Sequence, residues 1–485
     1  MKTQSTLWTV LRTLLVAATA AVYPSAARAA TESPSELLEK GIYAEETKGD
    51  VDSAITIYQQ LVTEQDVNHS VAAQAQFRLG QCYLKKNRTD DATAAFQKLI
   101  HDYPNETNLI VQARAMMPSG LTFGPVPWID GERLQLNIAL STGSDIGVAE
   151  YRADLVTRTN GRQIWRVGCR MMAAGAQSVS SVDVDADTFR PISSHWKHST
   201  FGEVTATYQT GEIQIQRVGK TQPETVPVDG IVYDNEEAMH GIRRLPLAVG
   251  YKTTMPIYST IGGTPISIGL EVLGKEMVDV PAGKFDCLKV KLTPVNQTFW
   301  FSDDAHRYLT KFEAGPVVAE LASITTRHPG DSVSFHDAET GVSLTAPAGW
   351  VVWRAQHGQP EGQVLIRTLD PDADTYDGGM RLFATDSLSD AAKKSARAWM
   401  DEDVQKNPTR KIRPDSWKEF TIDGRPAVSC IGDYTESGSP RVQYLARVLG
   451  KKYSELFVVT TAPDKFGALK AQFDTIVASY RTDKQ

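Results

Sequence analysis

The sequence is poor in the features that most directly announce chemistry. Four cysteines in 485 residues (Cys82, Cys169, Cys287 and Cys430) cannot build a disulfide framework, and no two stand in the C-x-x-C spacing of a thiolate metal site. There is no H-E-x-x-H and no G-x-S-x-G, so neither a zinc-protease helix nor a nucleophile elbow is encoded. Acidic residues outnumber basic ones, 58 to 51, for a net charge of −7. That balance argues against a nucleic-acid partner, because no basic stripe is available to neutralise phosphates. It argues equally against an anionic membrane surface. No apolar run beyond the N-terminus approaches the ~18 residues of a membrane-spanning helix, so no stable membrane span is expected. From these absences we expect no catalytic residue, no cofactor and no metal: a protein that binds, not an enzyme.

What is present begins with a targeting segment. Lys2 and Arg12 precede a short apolar stretch over residues 14–22, and Ala27-Arg28-Ala29 supplies an A-x-A cleavage pattern. We therefore expect a signal peptide over 1–29 and a periplasmic or secreted mature protein. The first cysteine is Cys82, far from the cleavage site, so no lipid anchor is expected there. In an oxidising compartment Cys169 and Cys287, the only two in one expected domain, are the pair to test for a disulfide. Four buried thiols acting as small hydrophobes are the alternative.

Residues 30–118 read as a helical domain with a repeated pattern. Gly41…Ala54-x-x-x-Tyr58-x-x-Leu61 recurs as Gly80-x-x-Tyr83…Ala92-x-x-x-Phe96-x-x-Leu99…Pro104. Small Gly80 and Ala92 let two antiparallel helices approach, Tyr83 and Phe96 fill the wedge between them, and Pro104 closes the unit. Replacing Phe96 with Ala should cost ~3–5 kcal/mol. The first copy departs from the second, with Ala44 where Tyr83 stands and one extra residue before Ala54. This pattern resembles bacterial secreted tetratricopeptide modules, and the resemblance implies a concave surface for a protein partner. Residues 107–116 are expected to form a helix that caps the pair or docks it onto the next domain. A helical packing module without a partner is the competing reading.

After a Gly/Pro-rich linker (119–127) the hydrophobic period changes from helical to two, over residues 128–326. Strands are expected at 134–140, 148–156, 164–172, 182–184, 204–208 and 213–218, with a meander from 266 to 324. Asp234 can cap a helix over 235–243, with Glu237 placed for a capping box. The expected fold is a curved antiparallel sheet or partly closed barrel with that helix at its mouth. The run at 280–290 (V-P-A-G-K-F-D-C-L-K-V) and the run at 299–304 (F-W-F-S-D-D) resemble an uncharacterised bacterial envelope β-domain, itself similar to the half-barrel lipoprotein carriers typified by LolA. That resemblance implies a concave apolar surface able to hold a lipophilic ligand. Trp165, Trp196, Phe299, Trp300 and Phe301 are then candidates to line it, and ordinary core packing is the alternative.

A second linker (327–332) leads to an α+β segment, 333–485. Its P-A-G-W turn at 347–350, an amphipathic helix at 389–406, four strands and a terminal helix at 464–478 resemble the PsbP/Mog1-like fold, whose implied roles are adaptor and assembly functions. Three polar clusters invite sharper readings. His195 and His198, three apart on a strand, face opposite sides and cannot share an ion without a bend. Asp303, Asp304 and His306 fit turn chemistry. The acidic run Asp370 to Asp377 lacks the calcium-loop order. The combined expectation is a non-catalytic interaction or scaffold protein acting through its helical repeats. A lipid carrier in the β-domain is the alternative, and an unrecognised hydrolase the remote one.

Overall fold

The computed structural model describes residues 32–482 except 64–67, 87, 118–120, 210, 229, 261, 339, 356–362, 370–378, 388–393 and 451–452. The expected signal segment, the acidic run at 370–377 and the first turns of the helix expected at 389–406 lie outside the described residues.

The N-terminal helices are α1 (Pro34–Ile42), α2 (Val51–Thr63), α3 (His69–Lys85), α4 (Thr89–Asp102) and α5 (Thr107–Met116). Ser33 caps α1 in a full capping box with Glu36. The two repeats share one packing device. A Cβ on Gly41 would lie 2.5 Å from the Tyr58 ring, and one on Gly80 would lie 2.4 Å from the Phe96 ring. Each aromatic ring therefore sits directly on the backbone of the preceding inner helix. The extra residue of the first repeat is taken up by a π-helical turn, Tyr43–Lys48, that extends α1.

The β-domain is one 15-stranded sheet. Its strands are β1 (Glu132–Leu140), β2 (Asp145–Thr157), β3 (Gln163–Ala173), β4 (Ala176–Asp185), β5 (Pro191–His198), β6 (Gly202–Gln209), β7 (Glu212–Arg217) and β8 (Glu224–Pro227). After β9 (Tyr233–Asp234) and helix α6 (Asn235–Arg243) come β10 (Lys252–Tyr258), β11 (Pro265–Val280), β12 (Gly283–Thr293), β13 (Gln297–Ser302), β14 (Leu309–Ala314) and β15 (Val317–Thr326). The spatial order runs β8 back to β1, then β15 back to β9, so β1 and β15 join two meanders. All neighbours are antiparallel except β9 and β10. The sheet curls without closing. Its two ends meet through side chains: Tyr258 of β10 packs with Trp196, Ile213 and Ile215 of β5 and β7. Tyr208 of β6 and Thr260 both donate to the Asp234 carboxylate. Helix α6, capped by Asp234 in the expected box with Glu237, covers the concave face.

The C-terminal part has the hairpin β16 (Val333–Asp337) and β17 (Val342–Ala346), then β18 (Trp350–Arg354), β19 (Val364–Thr368) and β20 (Gly379–Ser387). Helix α7 (Ala396–Gln405) precedes β21 (Lys411–Ile412), β22 (Lys418–Ile422), β23 (Arg425–Glu436), β24 (Ser439–Leu449) and β25 (Tyr453–Thr461). Helix α8 (Pro463–Ser479) and β26 (Arg481–Thr482) end it. An eight-stranded sheet carries the core, with Trp350 edge-on to Phe473 of α8. β18 serves two cores at once. Trp350 and Val352 face inward, whereas Val351 and Trp353 pack on Val148 and Met172 of the β-domain.

Candidate binding groove on the helical repeats

The inner helices of the repeats enclose a groove of about 480 Å³. On α3 its lining residues are Gln74, Phe77, Arg78, Gln81 and Lys85, the 3- and 4-residue spacing of a single helical face. Glu45 and Glu46 enter from the π-helical turn, and Glu106, Leu109 and Gln112 from α5 and its N-cap. The outer helices α2 and α4 contribute none of these residues.

The electrostatic centre of the groove is Glu45. Its carboxylate accepts from Lys85 Nζ at 2.7 Å, Tyr58 Oη at 2.8 Å and Arg78 Nη1 at 3.1 Å. Burial pushes the Glu45 carboxyl up, but the hydrogen bonds from Lys85, Tyr58 and Arg78 outweigh it and hold the group below its ordinary value. Glu45 is thus an anion with three donors. Arg78 also reaches Glu46 at 2.8 Å, so both cations that line the wall are already paired. What remains presented is the Gln74 and Gln112 amides and the Glu106 carboxylate beside Phe77 and Leu109, while the Gln81 amide donates to Met116 Sδ at 3.6 Å. The sequence pattern did not single out Glu45. The signal was there, in the departure of the first repeat at residues 44–48, where the inserted residue swings the π-helical turn toward α3.

The repeat residues named from sequence, Gly80, Tyr83, Ala92 and Phe96, all lie in one buried helical core or beneath it. Pro104 follows the last turn of α4. Tyr83 is buried with its hydroxyl accepting from Gln59 Nε2 at 2.8 Å.

The five aromatics proposed to line a ligand cavity are distributed among separate packed clusters. Trp165 sits with Trp128, Val167, Val182 and Phe189. Trp196 belongs to the cluster that joins the two sheet ends. Phe299 and Phe301 stack on one another at 6.3 Å, with Phe312 alongside at 5.6 Å from Phe299. Trp300 corrects the expectation outright. It points to the other face of β13, where its indole N–H donates to Glu276 and Lys289 and Lys311 stand over its ring at 5.1 and 5.2 Å. Neighbours on a strand cannot share a face, and Trp300 lies between Phe299 and Phe301.

The Cys169–Cys287 pair marked for a disulfide test is not bonded. Both are free, buried thiols, on β3 and β12, six strands apart in the sheet. Cys287 Sγ instead contacts Thr310 Oγ1 at 3.1 Å. Burial raises all four thiols, Cys82 and Cys430 to about 12, which removes them as nucleophiles near neutral pH.

Polar groups do gather on the concave side of the β-domain, around α6. Arg243 is fully buried, forks onto Glu132 at 2.6 and 3.2 Å, and donates to the carbonyls of Arg307 and His306. Glu237 is fully buried with no cation beside it among the described residues, and burial followed by the Asp234 charge raises its carboxyl well above the ordinary value. Burial, aided by Arg243, lowers His240 well below its ordinary value, so its ring is neutral between Trp128 and Tyr151. These side chains plug the curved sheet. Elsewhere, Asp304 caps its own turn by accepting from the N–H groups of His306 and Arg307, and His195 and His198 face opposite sides of β5. One Ser–His contact, His336 Nδ1 to Ser343 Oγ at 2.9 Å, lies exposed across the β16–β17 pair. Among the described residues no carboxylate bonds that imidazole, and no group of His, Cys, Asp and Glu is placed to hold a metal ion.

No curated protein matches the chain. Among solved structures, cyanobacterial PsbP (CyanoP) from Synechocystis sp. PCC 6803 is 17% identical over 32% of this chain and 94% of its own, with a TM-score of 0.26. A β-barrel-like protein of domain of unknown function DUF1849 from Brucella abortus is 13% identical over 43% of this chain and all of its own, with a TM-score of 0.28. The Saccharomyces cerevisiae Ran-binding protein Mog1p is 10% identical over 32% and 96%, with a TM-score of 0.23. Residues 41–107 match the tetratricopeptide repeat family, and residues 133–321 match the family described as protein of unknown function, DUF3108.

Proposed function

We propose that this chain is a non-catalytic scaffold protein, exported across the cytoplasmic membrane, whose helical repeats hold a segment of a partner protein. The observation that carries the reading is the groove itself: a concave space of about 480 Å³ on the inner helices of a matched tetratricopeptide segment. Its volume falls within the ~300–1,000 Å³ of ligand sites. With Arg78 and Lys85 paired to Glu45 and Glu46, the groove still offers the Gln74 and Gln112 amides and the Glu106 carboxylate, groups that suit the N–H and C=O groups of a polypeptide.

The carrier reading has less support. The concave face of the β-domain is occupied by α6 and by packed aromatic clusters, and the opening beside Tyr208, Ile213 and Val232 measures about 270 Å³. A photo-crosslinking residue in place of Gln112, in the full chain within the producing cell, tests the scaffold reading. The expected result is a discrete protein adduct that Leu109→Glu abolishes. Lipid adducts alone, or protein adducts indifferent to Leu109→Glu, refute it.

A further inference from the structure

The long strand β11 has two neighbours along its first half and one along its second. β10 pairs with it from Pro265 to Glu271, and β12 from Gly269 to Val280. The last bonds on the β10 side are at Val272, whose N–H donates to the Tyr251 carbonyl and whose carbonyl accepts from Gly250. A register shift between Val272 and Gly274 then re-aims the strand. Beyond it the ladder with β12 runs unbroken to Val280 and Gly283, which flank the Pro281-Ala282 turn.

In an antiparallel ladder alternate residues exchange both backbone bonds with one neighbour, and the residues between them turn theirs to the other side. Counting back from Val280 and Gly283 at the turn, Val278, Glu276 and Gly274 bond to β12. Lys275, Met277 and Asp279 therefore direct their N–H and C=O groups away from it. Among the described residues no group bonds the backbone of these three on that side. The edge is open to solvent. Leu273 and Met277 are 50% and 60% exposed, and a Cβ on Gly274 would meet no atom within 4 Å.

The residues along this edge complement themselves. Two copies of the strand, related by a two-fold axis at Met277, set Met277 against Met277 and Lys275 against Asp279 of the other copy. The three residues with unused backbone groups then meet one another, and an opposite-charge pair stands on each side of the axis. Sliding the strands either way until Lys275 meets Lys275, or Asp279 meets Asp279, sets like charges face to face. A lysine on an edge ordinarily guards it against pairing. Here the acid that receives it lies on the same strand, at the matching distance from Met277. Within the chain Lys275 contacts Asp303 and Asp279 contacts Lys284, so the paired strands would carry a row of alternating charge. The fold bounds the overlap at both ends, by β10 on one side and by the turn at Pro281 on the other.

We propose that a second copy of this chain pairs with the edge of β11 from Gly274 to Val280, joining two curved sheets across a two-fold axis at Met277. This surface is separate from the helical groove and does not depend on it.

Sedimentation velocity of the purified chain over a range of concentrations tests the proposal, with a dimer expected in the micromolar range. Met277→Pro removes an N–H that no group within the chain uses, so the fold should hold and the dimer should be lost. Lys275→Asp and Asp279→Lys should each weaken the dimer about 10-fold, because both facing pairs turn from attraction to repulsion, and the double variant should restore it. Hydrogen exchange should slow at the amides of Lys275, Met277 and Asp279 as the dimer forms. The proposal is overturned if the chain stays monomeric throughout, or if the double variant does not regain what the single variants lose. A dimer that a folded Met277→Pro variant still forms overturns it too; should that variant unfold, the charge exchange decides. A monomer that takes up an unrelated polypeptide at this edge is equally fatal to it.

Discussion

Two buried glutamates show how differently the helical repeats and the β-domain use charge. Glu45 faces the groove with Lys85, Arg78 and Tyr58 around it and is held ionised. Glu237 lies inside the curved sheet beside Asp234, with no cation at hand among the described residues, and its carboxyl is pushed well above its ordinary value. The same side chain is favoured as a charge where donors surround it and disfavoured as one where it borders the core. Burial alone therefore does not decide ionisation; the donors within reach do. The contrast also separates the roles of the two regions. The groove keeps its ions organised around Glu45, whereas the polar groups around α6 are spent on closing the sheet.

The comparison can be broken or sharpened by substitution. The largest effect is expected in the plug. Arg243→Met leaves Glu132 buried without its cation and should destabilise the β-domain by about 3–5 kcal/mol, read as a lowered denaturation midpoint. Glu45→Gln removes a charged acceptor from three donors and should cost about 1.5–3 kcal/mol at pH 7. Because the folded Glu45 carboxyl lies below its ordinary 4.5, this stabilisation is present above that value and is lost as pH falls through the folded pKa. The variant and the native chain should therefore converge in acid. Gly80→Ala places a methyl against the Phe96 ring and should cost ~1–3 kcal/mol in the helical transition. The smallest effect has the opposite sign. Glu237 is raised, so its contribution is fullest below 4.5 and falls as pH rises. Glu237→Gln should raise Tm by ~2–4 °C at pH 8 and leave it unchanged at pH 4. A Tm loss at pH 8 would mean that Glu237 is ionised in the fold.

Much of the architecture was legible because it rests on local chemistry. The capping box of Asp234 and Glu237 was named from four residues and is formed as named. The glycine-to-aromatic spacing marked the contacts of Gly80 with Phe96, and the change to period two marked the sheet. The aromatic cavity was misread for a reason the sequence itself contained. Phe299, Trp300 and Phe301 are consecutive, so a strand must send Trp300 to the opposite face. The separation of Trp165, Trp196 and Phe299 into three clusters was not legible, since it depends on which distant strands become neighbours. The same applies to Cys169 and Cys287, which share a domain and stand six strands apart.

By itself the sequence determined the order of elements: helical repeats, then a long antiparallel meander with one capped helix, then a mixed α+β segment. Those follow from periodicity and capping, which act over a few residues. The tertiary structure alone decided that Lys85 and Arg78 converge on Glu45, that α6 fills the curved sheet, and that the edge of β18 meets Gln135 and Asn137 of β1. Each of these pairs residues from 33 to 217 positions apart. Such contacts are chosen by the packing of whole sheets and helices, and no local pattern encodes them.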